Sequence, residues 1–356
     1  MTYDYQEIVP YLLDWFDNNA RILAWRENPK PYYIWVSEIM LQQTRVEAVK
    51  GYFDRFILAL PDIEALAEIE EEKLLKLWEG LGYYNRVRNL QKAAQLVIKN
   101  YHGKLPPYYE ELLKLPGVGA YTAGAIASIA FQIPVPAVDG NVLRVAKRIA
   151  GSFDDITKES VKKELWQDLR RIIPEKRPGD FNQSLMELGA MVCLPNGNPR
   201  CDACPVMHLC VAFHKDLVPQ IPVKQAKKDR RIEERTILLL EYQGQYAIHK
   251  RADGGLLAGL WELPGLEGKQ NIEDLNTTLV DLGLKISSLE SMGEAKHVFS
   301  HIEWHMIGYH IKMKDDRPEY LKENAYLWAS CSDINYKYTM PSAFSKFSSH
   351  WKENKS

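Results

Sequence analysis

Four of the five cysteines fall within a short stretch of the chain, and their spacing is typical of a metal site. Cys193, Cys201, Cys204 and Cys210 are separated by seven, two and five residues. A two-residue gap brings two sulfurs to one side of a turn, and short loops can supply the other two. Four thiolates suit a structural zinc ion or an iron–sulfur cluster, and the spacing alone leaves both open. Cys331 stands apart, and we expect it to be an ordinary thiol.

Two carboxylates have sequence surroundings that suit acid–base chemistry. Glu38 lies in the apolar helical run Trp35–Leu41, where burial disfavours the charged form and raises the pKa. A carboxyl group with a raised pKa can donate a proton near neutral pH. Asp139 follows an apolar stretch and precedes a helix, which also makes it a candidate N-cap. The simpler interpretation of Glu38, a core carboxylate paired with Arg26 or Arg45, stays open on the local pattern.

Residues Gly117–Gly119 form a Gly-x-Gly turn ahead of a helix of small residues. The free N–H groups of such a helix start, together with the positive end of its dipole, favour an anion such as a DNA phosphate. A plain turn between helices is the default interpretation of one such motif. Gln43 and Thr44 follow the helix of Glu38, and Tyr83 lies in a second glycine turn. Side chains of these types can wedge into a base stack around an extruded nucleotide.

The remaining elements divide the chain into a helical part and an α+β part. Helical spacing of apolar residues continues to about residue 215, and a proline- and charge-rich linker occupies residues 216–232. From residue 233 to 356 strand periodicity appears, notably over Thr236–Leu240, Tyr246–Lys250 and Val298–Met313, with a helix at Leu275–Leu284. The sequence therefore predicts two domains of different class.

Composition narrows the class of protein. The net charge of −2 excludes a polybasic binder, although a local basic stripe on a neutral protein is enough to bind nucleic acid. No apolar run is long enough to span a bilayer, and the N-terminus lacks a signal pattern. We therefore expect a cytoplasmic protein, associated with the nucleoid if DNA is its partner.

Together these motifs resemble the MutY adenine DNA glycosylases of the endonuclease III-like helix–hairpin–helix superfamily. The resemblance rests on five stretches in the family's order: Trp35–Thr44, Gly80–Arg86, Leu115–Ala123, Val138–Arg144 and the four cysteines. It implies one [4Fe–4S] cluster on the cysteines, although the first gap of seven residues is one longer than the superfamily spacing. It also implies a six-helix barrel at about 28–134 and a cluster module formed by 1–27 and 135–215.

The resemblance implies hydrolysis of the bond to adenine mispaired with 8-oxoguanine or guanine. Glu38, with a raised pKa, protonates adenine at N7, and Asp139, with a low pKa, stabilises the cation at C1′ or bonds to it transiently. Tyr121 stands where lyase-type relatives have a lysine, which implies a monofunctional enzyme. The other implied site residues are Asn141 in the catalytic group, Arg26 and Gln183 in the adenine pocket, and Leu41, Gln43, Thr44, Tyr83, Gly117 and Gly119 on the DNA.

The C-terminal part resembles the Nudix-like domain of the same family. Gly259–Gly265 matches the approach to a Nudix box, but the box has decayed to Asn276–Gly283, where Asp281 is the single acid. One carboxylate cannot hold the magnesium ions that hydrolysis of a diphosphate needs, so a recognition role remains. Phe299, Ser300 and His301 match the loop that reads 8-oxoguanine.

Two other functions remain as alternatives to a monomeric adenine glycosylase acting on double-stranded DNA. The first is an endonuclease III-like glycosylase and lyase for oxidised pyrimidines, which Tyr121 and the appended domain disfavour. The second is a non-enzymatic iron–sulfur binder of damaged DNA, which has no need of both Glu38 and Asp139.

Overall fold

The computed structural model describes residues 3–225, 229–315 and 318–351. Residues 226–228 of the predicted linker lie outside this range. The described residues form two compact units, one of residues 3–68 and 85–225 and the other of residues 69–84, 229–315 and 318–351. The first is helical and the second combines a sheet with helices, so the predicted fold class is confirmed. Across the described ranges, no helix combines the length and apolar character that a membrane span requires.

In chain order the helices are α1 (Ile8–Asn19), α2 (Ala24–Glu27), α3 (Pro31–Leu41), α4 (Val46–Ala59), α5 (Ile63–Glu68), α6 (Glu71–Leu77), α7 (Asn85–Tyr101), α8 (Tyr109–Leu112), α9 (Ala120–Phe131), α10 (Gly140–Ala150), α11 (Glu159–Ile172), α12 (Pro178–Met191), α13 (Val211–His214), α14 (Ile272–Asp281), α15 (Glu319–Glu323) and α16 (Cys331–Tyr336). Short 3₁₀ segments occupy Cys201–Ala203, Met207–Leu209 and Ser342–His350. Helix α6 and helices α14 to α16 belong to the second unit.

Helices α3 and α9 form the centre of the first unit because both are apolar around most of their circumference. Helix α9 is built largely from small residues, and its Gly124 lets the chain approach closely. A Cβ atom at this position would meet the carbonyl oxygen of Pro136 at 2.2 Å. The segment that leads into α10 therefore lies directly against α9, and this contact brings Asp139 towards Tyr121.

A second core in this unit forms where α1, α10, α11 and α12 pack together. Its buried residues include Leu12, Val142 and Phe181, and Cys193 and Cys204 pack against its edge. The cysteine segment is therefore attached to the same helices that carry Asp139 and Asn141.

The second unit contains a mixed seven-stranded sheet. The strands are β1 (Arg231–Tyr242), β2 (Gln245–Lys250), β3 (Trp261–Glu262), β4 (Gly265–Glu267), β5 (Ile286–Val298), β6 (Ile302–Met313) and β7 (Leu327–Ser330). The main order is β3-β2-β1-β6-β5, with β4 paired to β1 and β7 paired to β2. Strands β1 and β6 are parallel and the other pairs are antiparallel.

Both faces of β1 are buried, as its run of consecutive aliphatic residues indicates. Ile237 and Leu239 enter the core that contains Trp304 and Phe347, whereas Leu238 and Leu240 enter the core beneath α14.

The predicted strand at Val298–Met313 is wrong at its beginning. Strand β5 ends at Val298 and β6 begins at Ile302, so residues 299–301 form the turn of a hairpin, closed by the Phe299 N–H to the Ile302 carbonyl at 2.8 Å. The sequence reasoning also missed β5, because this edge strand is mostly polar and exposed and shows no apolar alternation.

Residues 69–84 pack with the second unit although their sequence neighbours belong to the first. The Lys76 ammonium donates to the carbonyls of Ile334 and Tyr338, each at 3.0 Å. The Glu79 carboxylate accepts from the Met340 N–H at 2.9 Å. These bonds attach the segment that ends in Tyr83 to the unit that contains the β5–β6 hairpin.

Candidate active site and cysteine cluster

Glu38 is buried on α3, with 6% of its surface exposed. The Tyr121 hydroxyl, from the first turn of α9, donates a hydrogen bond to its Oε2 at 2.7 Å. The alternative of a core ion pair is not what the structure has, because the guanidinium of Arg26 pairs with Glu187 instead. A buried carboxyl group with a neutral hydroxyl as its partner is the first element of the site.

Burial raises the pKa of Glu38 to about 7. The hydrogen bond from Tyr121 and the positive charge of Arg26 lower the pKa, while the nearby Asp139 raises it. Burial also raises the pKa of Tyr121, so that hydroxyl keeps its proton. Glu38 is thus balanced between its protonated and ionised forms near neutral pH, as the sequence predicted.

Asp139 is the N-cap of α10, and its Oδ1 accepts from the Val142 N–H at 2.7 Å. Its Oδ2 accepts from the Asn141 side-chain amide, also at 2.7 Å. The expectation of a low pKa is not met, because burial raises the pKa of Asp139 against the opposing effect of these two donors and of Arg144. The sequence reasoning identified the cap but did not foresee how deeply the carboxylate is enclosed.

Arg144 connects this carboxylate to the cysteine segment. Its Nη2 donates to Asn141 Oδ1 at 3.0 Å and to the Gly189 carbonyl at 2.8 Å. Its Nε donates to the Cys193 carbonyl at 2.9 Å. An unbroken series of hydrogen bonds therefore runs from Asp139 through Asn141 and Arg144 to the backbone of the first cysteine.

A cavity of about 770 Å³ opens beside Asp139 and Tyr121, the hydrogen-bond partner of Glu38. Asp139 and Tyr121 line it together with Gly119 of the glycine turn and Leu41 and Gln43 at the end of α3. Its opposite wall comes from α8 and α11, through Tyr109, Glu159, Lys162, Lys163 and Trp166. The structure thus brings candidates from three separate stretches of sequence to one opening.

The glycine turn has the geometry that its sequence predicts. Gly117 adopts a positive φ of 77°, and a Cβ atom there would meet Asn89 Cβ at 2.8 Å. Gly119 is the N-cap of α9 and has no side chain to accept from the first N–H groups of the helix. The first residues of this helix line the cavity. This helix start can accept an anion.

The loop after α3 is held by Arg86 from α7. Its guanidinium donates to the carbonyls of Ile39, Met40 and Gln42. The last carbonyls of a helix lack partners within the helix, and the negative end of the helix dipole favours a cation at this place. Its Nη2 also reaches Thr44 Oγ1 at 3.4 Å. Arg86, the last residue of the Gly80–Arg86 stretch, therefore supports this loop from within the fold.

Arg26 and Gln183 line a different cavity, of about 330 Å³, from the one that contains Asp139. Arg26 Nε donates to Gln183 Oε1 at 2.8 Å, so the two residues are in contact, while their place in an adenine pocket stays a prediction. Sequence reasoning missed Glu187, which binds both Arg21 and Arg26. Glu187 has the same sequence signal as Glu38, because it too is an acidic residue within an apolar helical run.

The four clustered cysteines line one cavity between α10 and α12. Arg148 Nη1 lies 3.2 Å from Cys193 Sγ, and its Nε donates to the Ile221 carbonyl at 2.8 Å. Among the described residues, no three His, Cys, Asp or Glu side chains are arranged to hold a single metal ion. Four sulfur donors in one cavity next to the buried Arg148 fit a thiolate-bound metal centre, either zinc or an iron–sulfur cluster.

In the second unit, the turn at residues 299–301 carries Ser300 and His301 at the surface. The Phe299 ring lies against Trp304 with centroids 4.9 Å apart, which anchors the turn to the core. Tyr83 has a positive φ of 48° and is 48% exposed. Its hydroxyl and the Ser300 hydroxyl are 3.3 Å apart.

Comparison with known proteins identifies two families along the chain. The model of the HhH-GPD superfamily base excision DNA repair protein matches residues 36–171, and that of the NUDIX domain matches residues 235–350. The adenine DNA glycosylase of Buchnera aphidicola (subspecies Schizaphis graminum) is 34% identical over 83% of this chain and 85% of its own. The mouse adenine DNA glycosylase is 36% identical over 82% of this chain and 68% of its own.

The chain belongs to the adenine DNA glycosylase family. Among solved structures it is similar to a trapped endonuclease III–DNA covalent intermediate, with a TM-score of 0.52 and 28% identity over 61% of this chain and 100% of that one. The predicted resemblance is therefore confirmed. Glu38, Tyr121, Asp139 and Asn141 fall within the HhH-GPD match, whereas the cysteines lie beyond it.

The raised pKa of Glu38 predicts a pH-dependent stability. Because its pKa is about 7 in the folded chain and 4.5 ordinarily, the folded state binds the proton more tightly. Stability is therefore lost as the pH rises from 4.5 to about 7, by up to about 3 kcal/mol. We expect the urea midpoint of unfolding at pH 8 to be higher for Glu38→Gln than for the wild type. The difference between the two midpoints should be much smaller at pH 4.5.

The control for this measurement is Glu110→Gln, which alters an exposed glutamate in the same unit. A difference between Glu38→Gln and wild type that is the same at both pH values would contradict the burial argument.

Proposed function

We propose that this protein is a base-excision-repair enzyme that hydrolyses the N-glycosidic bond of adenine mispaired with 8-oxoguanine or guanine in double-stranded DNA. The observation that carries the proposal is the Glu38–Tyr121 hydrogen bond beside Asp139, a buried proton donor and a second carboxylate in one site. The family's name supplies adenine as the base.

Departure of adenine requires a proton, because the anionic base is a poor leaving group. Because the pKa of Glu38 is about 7, its protonated form is well populated near neutral pH and delivers the proton to adenine N7 as the C1′–N9 bond breaks. The hydrogen bond from Tyr121 orients the carboxyl group and stabilises the carboxylate that the transfer leaves behind.

The deoxyribose gains positive charge as the base leaves. Asp139 lies at the wall of the 770 Å³ cavity, and its orientation is set by Val142 and Asn141. Its carboxylate stabilises the oxocarbenium-like C1′ until water adds and leaves an abasic site. The N-terminus of α9, with Gly117 and Gly119, binds a phosphate of the extruded nucleotide's strand. Leu41, Gln43 and Thr44 contact the opened duplex from the end of α3.

Tyr121 stands at the position from which a lysine would attack the sugar, and a phenol cannot form a Schiff base. This disfavours the lyase alternative and supports a monofunctional glycosylase. We assign Arg26 and Gln183 to the adenine side of the site, although they line a cavity separate from that of Asp139, because the positive charge of Arg26 acts on Glu38.

Glu38→Gln and Asp139→Asn should each reduce single-turnover adenine release by about a hundredfold or more, because each removes a charge or proton that the transition state needs. Lesion-DNA binding should stay close to wild type. The wild type should give no borohydride-trapped adduct and no strand cleavage.

Asp62→Asn is the matched control for Asp139→Asn. Asp62 also accepts from a backbone N–H three residues on, that of Ala65 at 2.8 Å, but it is exposed and does not line the cavity. Asparagine is as good an N-cap as aspartate, so neither variant should misfold. Adenine release at the wild-type rate by Asp139→Asn or Glu38→Gln would reject the mechanism.

The second unit reads the base opposite adenine. 8-oxoguanine carries an N7–H donor and an O8 acceptor where guanine has only a lone pair at N7. The Ser300 hydroxyl can accept from N7–H, and His301 can bond to the same nucleotide. Phe299 fixes the turn in the core, and Tyr83 wedges into the stack beside it.

Ser300→Ala with His301→Ala should lower the ratio of release rates for 8-oxoguanine over guanine by about fivefold, since one or two hydrogen bonds are lost. Ser287→Ala with His305→Ala is the control, with both changes elsewhere in the same hairpin. An unchanged ratio in the first pair of substitutions would remove the reading role.

We propose that Cys193, Cys201, Cys204 and Cys210 hold one [4Fe–4S] cluster, with a structural role. A zinc ion needs four sulfurs at about 2.3 Å from a single centre. Four sulfurs that line one cavity are compatible with that ion as well as with the larger cluster, and membership of the adenine DNA glycosylase family favours the cluster.

Cys204→Ser should lose the brown colour, the iron and the acid-labile sulfide of the purified protein. Cys331→Ser, in the second unit, should keep all three. A wild-type protein that is colourless and contains stoichiometric zinc would overturn the assignment.

A further inference from the structure

Glu187 on α12 is a buried carboxylate that the proposed mechanism does not use. It is 1% exposed. Arg21 donates to it from its backbone N–H at 3.1 Å, from Nε at 2.6 Å and from Nη2 at 2.8 Å. Arg26 donates from Nη1 at 3.1 Å and from Nη2 at 3.0 Å. One carboxylate thus receives two guanidinium groups, the closer of which to the active site is Arg26.

These contacts restrict Arg26 to one orientation. Besides Glu187, its Nη1 donates to the Arg21 carbonyl at 3.1 Å and its Nε to Gln183 Oε1 at 2.8 Å. A guanidinium has donors only, so the Gln183 amide must turn its carbonyl to Arg26 and present its NH₂ elsewhere. Glu187 therefore indirectly sets which face of the Gln183 amide is available to a base.

The same contacts have an electrostatic consequence for Glu38. The charged and titratable groups that act on Glu38 are Tyr121 from α9, Asp139 at the start of α10, and Arg26 from α2. The positive charge of Arg26 favours the ionised form of Glu38, which cannot donate a proton. Glu187 is itself ionised, because its two arginines outweigh the cost of burial and lower its pKa to about 2.

We propose that Glu187 is a positioning residue for adenine release, which holds the Arg26 guanidinium in a fixed orientation and offsets its positive charge beside Glu38. The proposal rests on the function proposed above, in which Glu38 must be protonated to act. A residue that merely joins α12 to the chain around α2 would have no effect on the proton of Glu38, and this difference makes the two roles separable.

The test is the pH dependence of single-turnover adenine release by Glu187→Gln. The substitution keeps the shape and the hydrogen-bond acceptor but removes the negative charge, so Arg26 acts on Glu38 with its full charge. We expect the alkaline limb of the pH–rate profile to shift to lower pH by about 0.5 to 1 unit. At pH 8 the rate should fall roughly three- to tenfold, and near pH 5.5 it should recover to the wild-type value.

Arg21→Gln is the matched control, because it also breaks an ion pair with Glu187 but leaves the Arg26–Glu187 pair in place. We expect it to lower the melting temperature without moving the limb to lower pH. Glu187→Asp, which keeps the charge, should retain the wild-type profile or recover most of it.

A second substitution keeps the proposal open to rejection if Glu187→Gln folds poorly. Arg26→Gln removes the positive charge itself and should move the alkaline limb to higher pH, opposite to the effect of Glu187→Gln. A rate loss for Glu187→Gln that is equal at all pH values, or an Arg26→Gln limb that stays in place, would overturn the proposal. Wild-type protein that releases no adenine, or does so without Glu38, would instead reject the proposed function.

Discussion

The site depends on removing the Glu38 carboxyl group from water while giving it a neutral hydrogen-bond partner. Helix α3 achieves the first because it is apolar on nearly every side, and α9 achieves the second by carrying Tyr121 to within 2.7 Å. The close packing of α9 depends on small residues such as Gly124. One helix therefore supplies the partner of Glu38, starts at the proposed phosphate site, and supports the segment that leads to Asp139.

Asp139 illustrates that a structural and a chemical role can belong to the same atoms. The N–H and amide donors that make it a helix cap also orient its oxygens and oppose the rise in pKa that burial causes. Both carboxylates have raised pKa values, so their proposed division of labour does not come from opposite shifts. It comes from their partners, since Glu38 receives one hydroxyl and Asp139 two N–H donors next to Arg144.

Recognition and catalysis are built in different ways. The catalytic candidates are on helices of one packed unit, whereas the proposed reading residues lie on a hairpin turn of the other. Segment 69–84, which contains α6, is the exception, because Lys76 and Glu79 bind it to the second unit although its sequence neighbours belong to the first. Tyr83, at its end, consequently lies next to Ser300. The proposed wedge and the proposed reader thus belong to one unit.

Local signatures in the sequence were enough to predict the two-domain class and to single out the four clustered cysteines, Glu38 and Asp139. The signatures were a change of apolar period, a close cysteine spacing, an acid inside an apolar run, and an acid between an apolar stretch and a helix. The sequence did not reveal β5, whose polar residues carry no period, and the predicted strand at Val298–Met313 overran the turn that the match to a family loop indicated. Tertiary packing was needed to establish that Arg26 pairs with Glu187 rather than Glu38, that Asp139 is enclosed, and that Arg144 joins it to Cys193. Those contacts span many residues of chain, and their energies depend on burial and on which partner a packed helix brings within reach, neither of which a local pattern encodes.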